Sequence, residues 1–286
     1  MKRTLYISDL DGTLLAPGGQ LSPASVTLLN HAISRGALFS VATARTPATV
    51  SHLLKDIDTR LPLVVMTGGA LWDMKTGLYS DVQYFRPGQV REIIEAYRAP
   101  ESGGGFLYTL PRRSGDERQI MKIYHVGPIN SLERGFMEER IDSPFKRFFV
   151  PESGESDLPE TIDDAILFFG MQPNAVAEGI CSRLDGIRDI NPMFYHDWYG
   201  PEITEVEAFP SGATKAKAIK RLKEKVGADR LVVFGDNFND LSMMGVADWS
   251  VAVSNAVPEV KRAADEVIGS NAADSVVRYI LEDIRN

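Results

Sequence analysis

The chain has 286 residues, 44% hydrophobic and 24% charged, with one cysteine and a net charge of −8. Such a chain can bury a core without staples, and the lone Cys181 excludes an internal disulfide and fits a reducing compartment. No apolar stretch nears the ~18 residues of a membrane span, and neither the acidic whole nor any segment suits nucleic acid or anionic membranes.

Residues 4–15 read as a buried strand running into a glycine-containing loop, with Asp9 too early for a secretory leader. The expected location is therefore the cytoplasm. "SPASVTLLNHAISRG" (22–36) carries a Ser N-cap, Pro just inside and a terminal Gly, the marks of a helix. "ALFSVATAR" (37–45) is a second apolar run, "TPATVSHLLKDI" a helix, and "LPLVVMTGGALWD" (61–73) a third run. Strand, helix, strand, helix, strand predicts a parallel sheet with helices on both faces.

Residues 83–199 differ in texture: short apolar runs such as "FLYTL", "IMKIYHV" and "AILFFGM" alternate with Gly- and Ser-rich stretches like "APESGGG" and "PESGESDLPE". They predict an inserted α+β domain with an antiparallel sheet, its loops at the surface. The core pattern returns in a helix at 212–227, "RLVVFGD" (230–236) as a strand, a helix from 239, a strand at 249–256, the short helix "VPEVKRAADEVIG" and a closing helix at 274–284. The fold expected is α/β: a Rossmann-like core of 1–82 and 200–286 with an α+β cap at 83–199.

Ligands of open parallel sheets gather at the carboxyl ends of the strands. Asp9 and Asp11 end the first run, Thr43 and Arg45 the second, and Asp236, Asn239 and Asp240 follow the strand at 231–235; Lys215 starts the helix at 212–227. Four acids in one place need a cation, and Mg²⁺ prefers such oxygen donors; the four scattered histidines argue against zinc. A carboxylate beside Mg²⁺ can attack phosphorus, a second can protonate the leaving alkoxide, a threonine can bind a phosphoryl oxygen and a lysine can neutralise developing charge. Gly12 permits the turn that two acids two positions apart require.

In order, "DLDGT" (9–13), "ATAR" (42–45), "TKAKAIKRL" (214–222) and "GDNFNDLSMM" (235–244) resemble the four motifs of the haloacid dehalogenase superfamily. The match is closest to its Cof-like phosphatases of subfamily IIB, with a large α/β cap between the second and third motifs. "VAVSNAVPEVKRAAD" (251–265) is also similar to that subfamily. The resemblance covers both core segments; the cap matches in position and length only. It implies Asp9 as nucleophile and metal ligand, and Asp11 as acid/base, reaching the metal through its backbone carbonyl. It further implies Thr43 and Lys215 on the phosphoryl group and Asp236 as a direct metal ligand, with Asp240 and Asn239 supporting it.

Two positions depart from the pattern: Ala44 stands where the subfamily usually has Gly, and Gly68 of "TGGA" where many relatives carry Asn. Arg45 either touches the phosphate or pairs with a neighbouring acid, and Asn255 either shapes a turn or buttresses the site. The expected activity is Mg²⁺-dependent hydrolysis of a small phosphorylated metabolite by a monomer or small homo-oligomer. Two alternatives stand beside it, a phosphomutase using the same aspartyl-phosphate and a non-catalytic binder of small molecules.

Overall fold

The computed structural model describes residues 3–98, 104–112, 119–150, 162–196 and 200–285. The expected surface loops at 99–103 and 151–160 lie outside them. The chain divides into two compact units, Met1–Asp81 with Ala213–Asn286, and Val82–Gly212. No helix among the described residues is long and apolar enough to cross a membrane.

The first unit opens with β1 (Thr4–Ser8), a strand buried along almost its whole length. A wide turn over Leu10–Leu14 follows, then α1 (Pro23–Ser34), whose N-cap Ser22 accepts from the Ser25 amide. Next come β2 (Leu38–Val41), α2 (Pro47–Leu53), β3 (Leu63–Val65), β4 (Ala70–Trp72) and β5 (Tyr79–Ser80). The run at 61–73 is thus two antiparallel strands rather than one, reversed by a turn at Met66–Gly68. Apolar residues fill both arms of the turn, so hydrophobic pattern alone does not reveal the reversal. β3 meets the main sheet through a parallel bridge between Ala42 and Val64.

The second unit contains α3 (Gln89–Tyr97), β6 (Gly105–Thr109), β7 (Met121–Val126), α4 (Ser131–Glu138), β8 (Lys146–Phe149), β9 (Ala165–Pro173), α5 (Asn174–Asp185), β10 (Ile190–His196) and β11 (Ile203–Pro210). Its six strands run in the order β10-β11-β9-β6-β7-β8, antiparallel throughout except for β7 with β8. β11 falls beyond residue 199, where the sequence reading ends the insertion, and pairs with both β9 and β10. Val206 and Ala208 join the apolar cluster formed with α3 and α5. Glu205 and Glu207, at the alternate positions, stand on the opposite face of the sheet. Burial pushes Glu205 up to about 7, and burial with the neighbouring Glu205 pushes Glu207 well above the usual carboxylate range.

The chain then returns to the first unit with α6 (Lys215–Val226), β12 (Arg230–Gly235), α7 (Leu241–Met244), β13 (Trp249–Val253), α8 (Pro258–Ala263), β14 (Glu266–Ile268) and α9 (Ser275–Asp283). β14 replaces the end of the helix expected over 257–269. The Asp265 carboxylate accepts from the Ser250 amide (2.8 Å) and hydroxyl (2.7 Å), holding the chain extended beside β13. The main sheet is parallel, in the order β14-β13-β12-β1-β2. The chain runs from β1 to β2 on one side and later adds β12 on the other side of β1, so the crevice beyond the carboxyl ends of β1 and β12 is a topological switch point.

Candidate active site

Asp9 is the first residue after β1, fixed by its amide to the Phe234 carbonyl (3.0 Å). The chain turns at once, because Gly12 adopts φ +76°. A Cβ on Gly12 would stand 2.4 Å from Asp236 Oδ2, so glycine here meets both a backbone and a space requirement. On the other side of the crevice, β12 ends at Gly235 and Asp236 follows, then a short turn at Phe238–Asp240.

Lys215, at the first turn of α6, joins these two strand ends. Its Nζ donates to Asp9 Oδ1 (2.5 Å) and Asp240 Oδ1 (2.8 Å), and all three side chains are buried. Burial alone would lower the lysine, but the carboxylates of Asp9 and Asp240 outweigh it and hold the ammonium above its ordinary value. Burial pushes Asp9 up to about 7 against the pull of Lys215. Asp236 is also raised, by burial first, with the Thr13 hydroxyl opposing from 2.6 Å.

Carboxylate oxygens of Asp9, Asp236 and Asp240 lie within 4.8 Å of one another, a group fit to hold a cation. Their commitments differ. Asp240 Oδ1 serves Lys215, and its Oδ2 accepts from the amides of Asp236 (2.9 Å) and Asn237 (3.2 Å). Asp240 therefore fixes the loop and the lysine, while Asp9 Oδ2 and Asp236 Oδ2 have no hydrogen-bond partner among the described residues. Lifted carboxyl groups facing a shared space are what a hard divalent ion would neutralise.

Asp11 is turned elsewhere. Arg45 grips its carboxylate bidentately, Nε to Oδ2 and Nη2 to Oδ1, both at 2.7 Å. Of the two readings open for Arg45, the structure shows the ion pair. Thr43, buried after β2, accepts from the Arg45 amide at Oγ1 (3.1 Å), which leaves its hydroxyl proton free to donate. Asn239 is partly buried and makes no side-chain hydrogen bond among the described residues. Asn255 buttresses the loop after Asp9, donating to the Gly12 carbonyl (2.7 Å) and accepting from the Asn271 amide (3.0 Å). Thr13, Asn237 and Asn271 were not singled out from sequence. Thr13 and Asn237 sit inside the quoted motifs, whereas nothing local marks Asn271.

A family model described as haloacid dehalogenase-like hydrolase matches residues 6–153 and 171–280. The pyridoxal phosphate phosphatase YbhA of Escherichia coli is 26% identical over 286 aligned residues, 95% of either chain. The 5-amino-6-(5-phospho-D-ribitylamino)uracil phosphatase YwtE of Bacillus subtilis is 24% identical over 292, again 95% of each. Among solved structures, a haloacid dehalogenase-like hydrolase from Bacteroides thetaiotaomicron superposes with a TM-score of 0.71 at 22% identity, over 99% of this chain and 100% of its own. At that identity the likeness speaks for the fold.

Proposed function

The chain belongs to the family of haloacid dehalogenase-like hydrolases and is a phosphatase, and from that premise we propose that it hydrolyses a small phosphorylated metabolite through an aspartyl-phosphate on Asp9. The observation that carries the reading is the buried Asp9 carboxylate, one oxygen held by Lys215 and the other uncommitted.

In the first step Asp9 Oδ2 attacks phosphorus and the bond to the ester oxygen breaks, leaving an acyl phosphate and an alkoxide. Asp11, once released from Arg45, gives the alkoxide its proton. Thr43 donates to one phosphoryl oxygen, and the Lys215 ammonium, fixed by Asp240, sets its charge against another. In the second step water attacks the phosphorus of the acyl phosphate, Asp11 takes its proton, and Asp9 and inorganic phosphate are regenerated.

Asp9, Asp236 and the Asp11 carbonyl would hold Mg²⁺, with Asp240 in support. Bound there, the ion supplies positive charge that offsets the carboxylates and the phosphoryl oxygens.

The test is phosphate release from a panel of phosphorylated metabolites with Mg²⁺ and with chelator, beside Asp9→Asn. Release confined to the Mg²⁺ arm and lost in Asp9→Asn supports the reading. Turnover by Asp9→Asn near the wild-type rate would sink it.

A further inference from the structure

In the second unit, α5 lies against β9, β10 and β11, and a cleft of about 580 Å³ stays open between the helix, the end of β10 and the start of β11. Small-molecule sites occupy roughly 300–1,000 Å³. Every residue lining this cleft belongs to the second unit. Its floor is apolar, formed by Ala177, Cys181 and Phe194, which also pack on the core cluster of that unit. Glu178 and Asp185 line it from α5. They stand seven positions apart, two turns along one helix face and a rise of about 10 Å.

The polar groups here are acceptors without a cation. Glu178 and Asp185 have neither a hydrogen bond nor an ion pair among the described residues, and no described lysine or arginine lines the cleft. Arg183, the basic residue of α5, turns away to the Ala96 carbonyl (2.7 Å). Asn174 donates through Nδ2 to the Pro201 carbonyl (2.9 Å), which turns its Oδ1 to the Thr204 hydroxyl (2.8 Å). Thr204 gives its proton there and accepts from His196 Nδ1 (2.9 Å), so the neutral imidazole keeps Nε2 as an acceptor. Burial first, then the carboxylates of Asp185 and Glu178, push the Cys181 thiol up to about 11, so both negative charges bear on the floor of the cleft. Such a lining is completed by a ligand that brings positive charge and methylene surface together.

We propose that the cleft binds a linear aliphatic polyamine, its end ammonium groups on Glu178 and Asp185 and its methylenes over Ala177, Cys181 and Phe194. A metal ion does not fit, because it needs its donors together. Among the described residues only Asp9, Asp236 and Asp240 bring such atoms within 4.8 Å of one another. Two separated carboxylates favour a long dication over a short one, since only the long one engages both at once.

The experiment is calorimetric titration of the full chain, at fixed ionic strength, with spermidine, whose end nitrogens reach both carboxylates, and with putrescine, whose nitrogens do not. Saturable one-to-one binding of spermidine is expected, with putrescine about tenfold weaker. Glu178→Gln combined with Asp185→Asn should weaken spermidine by about tenfold, the loss of two exposed charge pairs. Glu138→Gln combined with Asp142→Asn removes the same charge elsewhere in the unit and should leave the affinity unchanged, as should Asp236→Asn. All four side chains in the two double variants are exposed, and wild-type unfolding midpoints confirm that their folds are kept. Equal losses in the two double variants would reduce the effect to overall negative charge, and loss in Asp236→Asn would place the amine at the strand ends of the first unit. Either result overturns the assignment, as does the absence of saturable binding. The phosphatase reading stands or falls separately, on phosphate release.

Discussion

Replacing Lys215 by methionine keeps most of the side-chain volume and deletes the charge. One ammonium here serves two buried carboxylates, at 2.5 Å from Asp9 and 2.8 Å from Asp240. The gross attraction to each is about 6 kcal/mol at an effective dielectric of about 20. Desolvation and carboxylate–carboxylate repulsion offset much of that, and removing one partner of a buried pair costs about 3–5 kcal/mol. That is the loss expected for Lys215→Met at pH 8 in chelator. The pH dependence has a definite sign. Burial already lifts Asp9 to about 7, and with no ammonium to oppose it the carboxyl rises further. The penalty therefore grows as pH climbs through 7 and shrinks at pH 5, where Asp9 is neutral. Urea unfolding followed by circular dichroism at pH 8 and pH 5 measures both differences. A variant within about 1 kcal/mol of wild type at pH 8 would refute the claim that Lys215 is the electrostatic keystone.

Gly12→Ala puts a methyl group against Asp236 at φ +76°; a loss of about 1–3 kcal/mol is expected in urea unfolding, with phosphatase turnover reduced at least as far as stability. Glu205 is raised from 4.5 to about 7, so its penalty is absent below pH 4.5 and complete above 7. At about 1.4 kcal/mol per pH unit the full penalty is about 3 kcal/mol, reduced by partial exposure to about 1–2. Thermal unfolding should therefore show Glu205→Gln stabilised at pH 8 and equal to wild type near pH 4.5. Mg²⁺ at about 100 times its dissociation constant should stabilise the wild type by about 2.7 kcal/mol, and Asp236→Asn should lose most of that gain in the same melt.

The parallel core was legible because its strands are short, buried and punctuated by caps: Ser22 with Pro23, and Thr214 before Lys215. The polar residues at the strand ends were legible for the related reason that carboxylates rarely end apolar runs without a partner. What escaped was non-local. β11 reads as any alternating strand, and only its pairing with β9 and β10 puts it in the inserted unit. The reversal at Met66–Gly68 hides inside uniformly apolar sequence. Arg45 is 34 positions from Asp11, and no local pattern chooses between that carboxylate and a phosphate.

β1, from the first ten residues, is central in the main sheet, paired on one side with β2 and on the other with β12, more than two hundred positions later. During synthesis β1 must wait for one of its two neighbours until residue 235 has left the ribosome, whereas residues 82–212 form a continuous stretch that emerges earlier. The nascent chain therefore carries an incomplete sheet with an exposed apolar edge after the whole insertion has been made. Asp236, Lys215 and Asp240 arrive in the same late segment that closes that edge. Assembly of the Asp9, Lys215, Asp236 and Asp240 cluster and completion of the sheet become one event, so a chain truncated before β12 would expose the edge of β1 and leave Asp9 without Asp236 and Asp240.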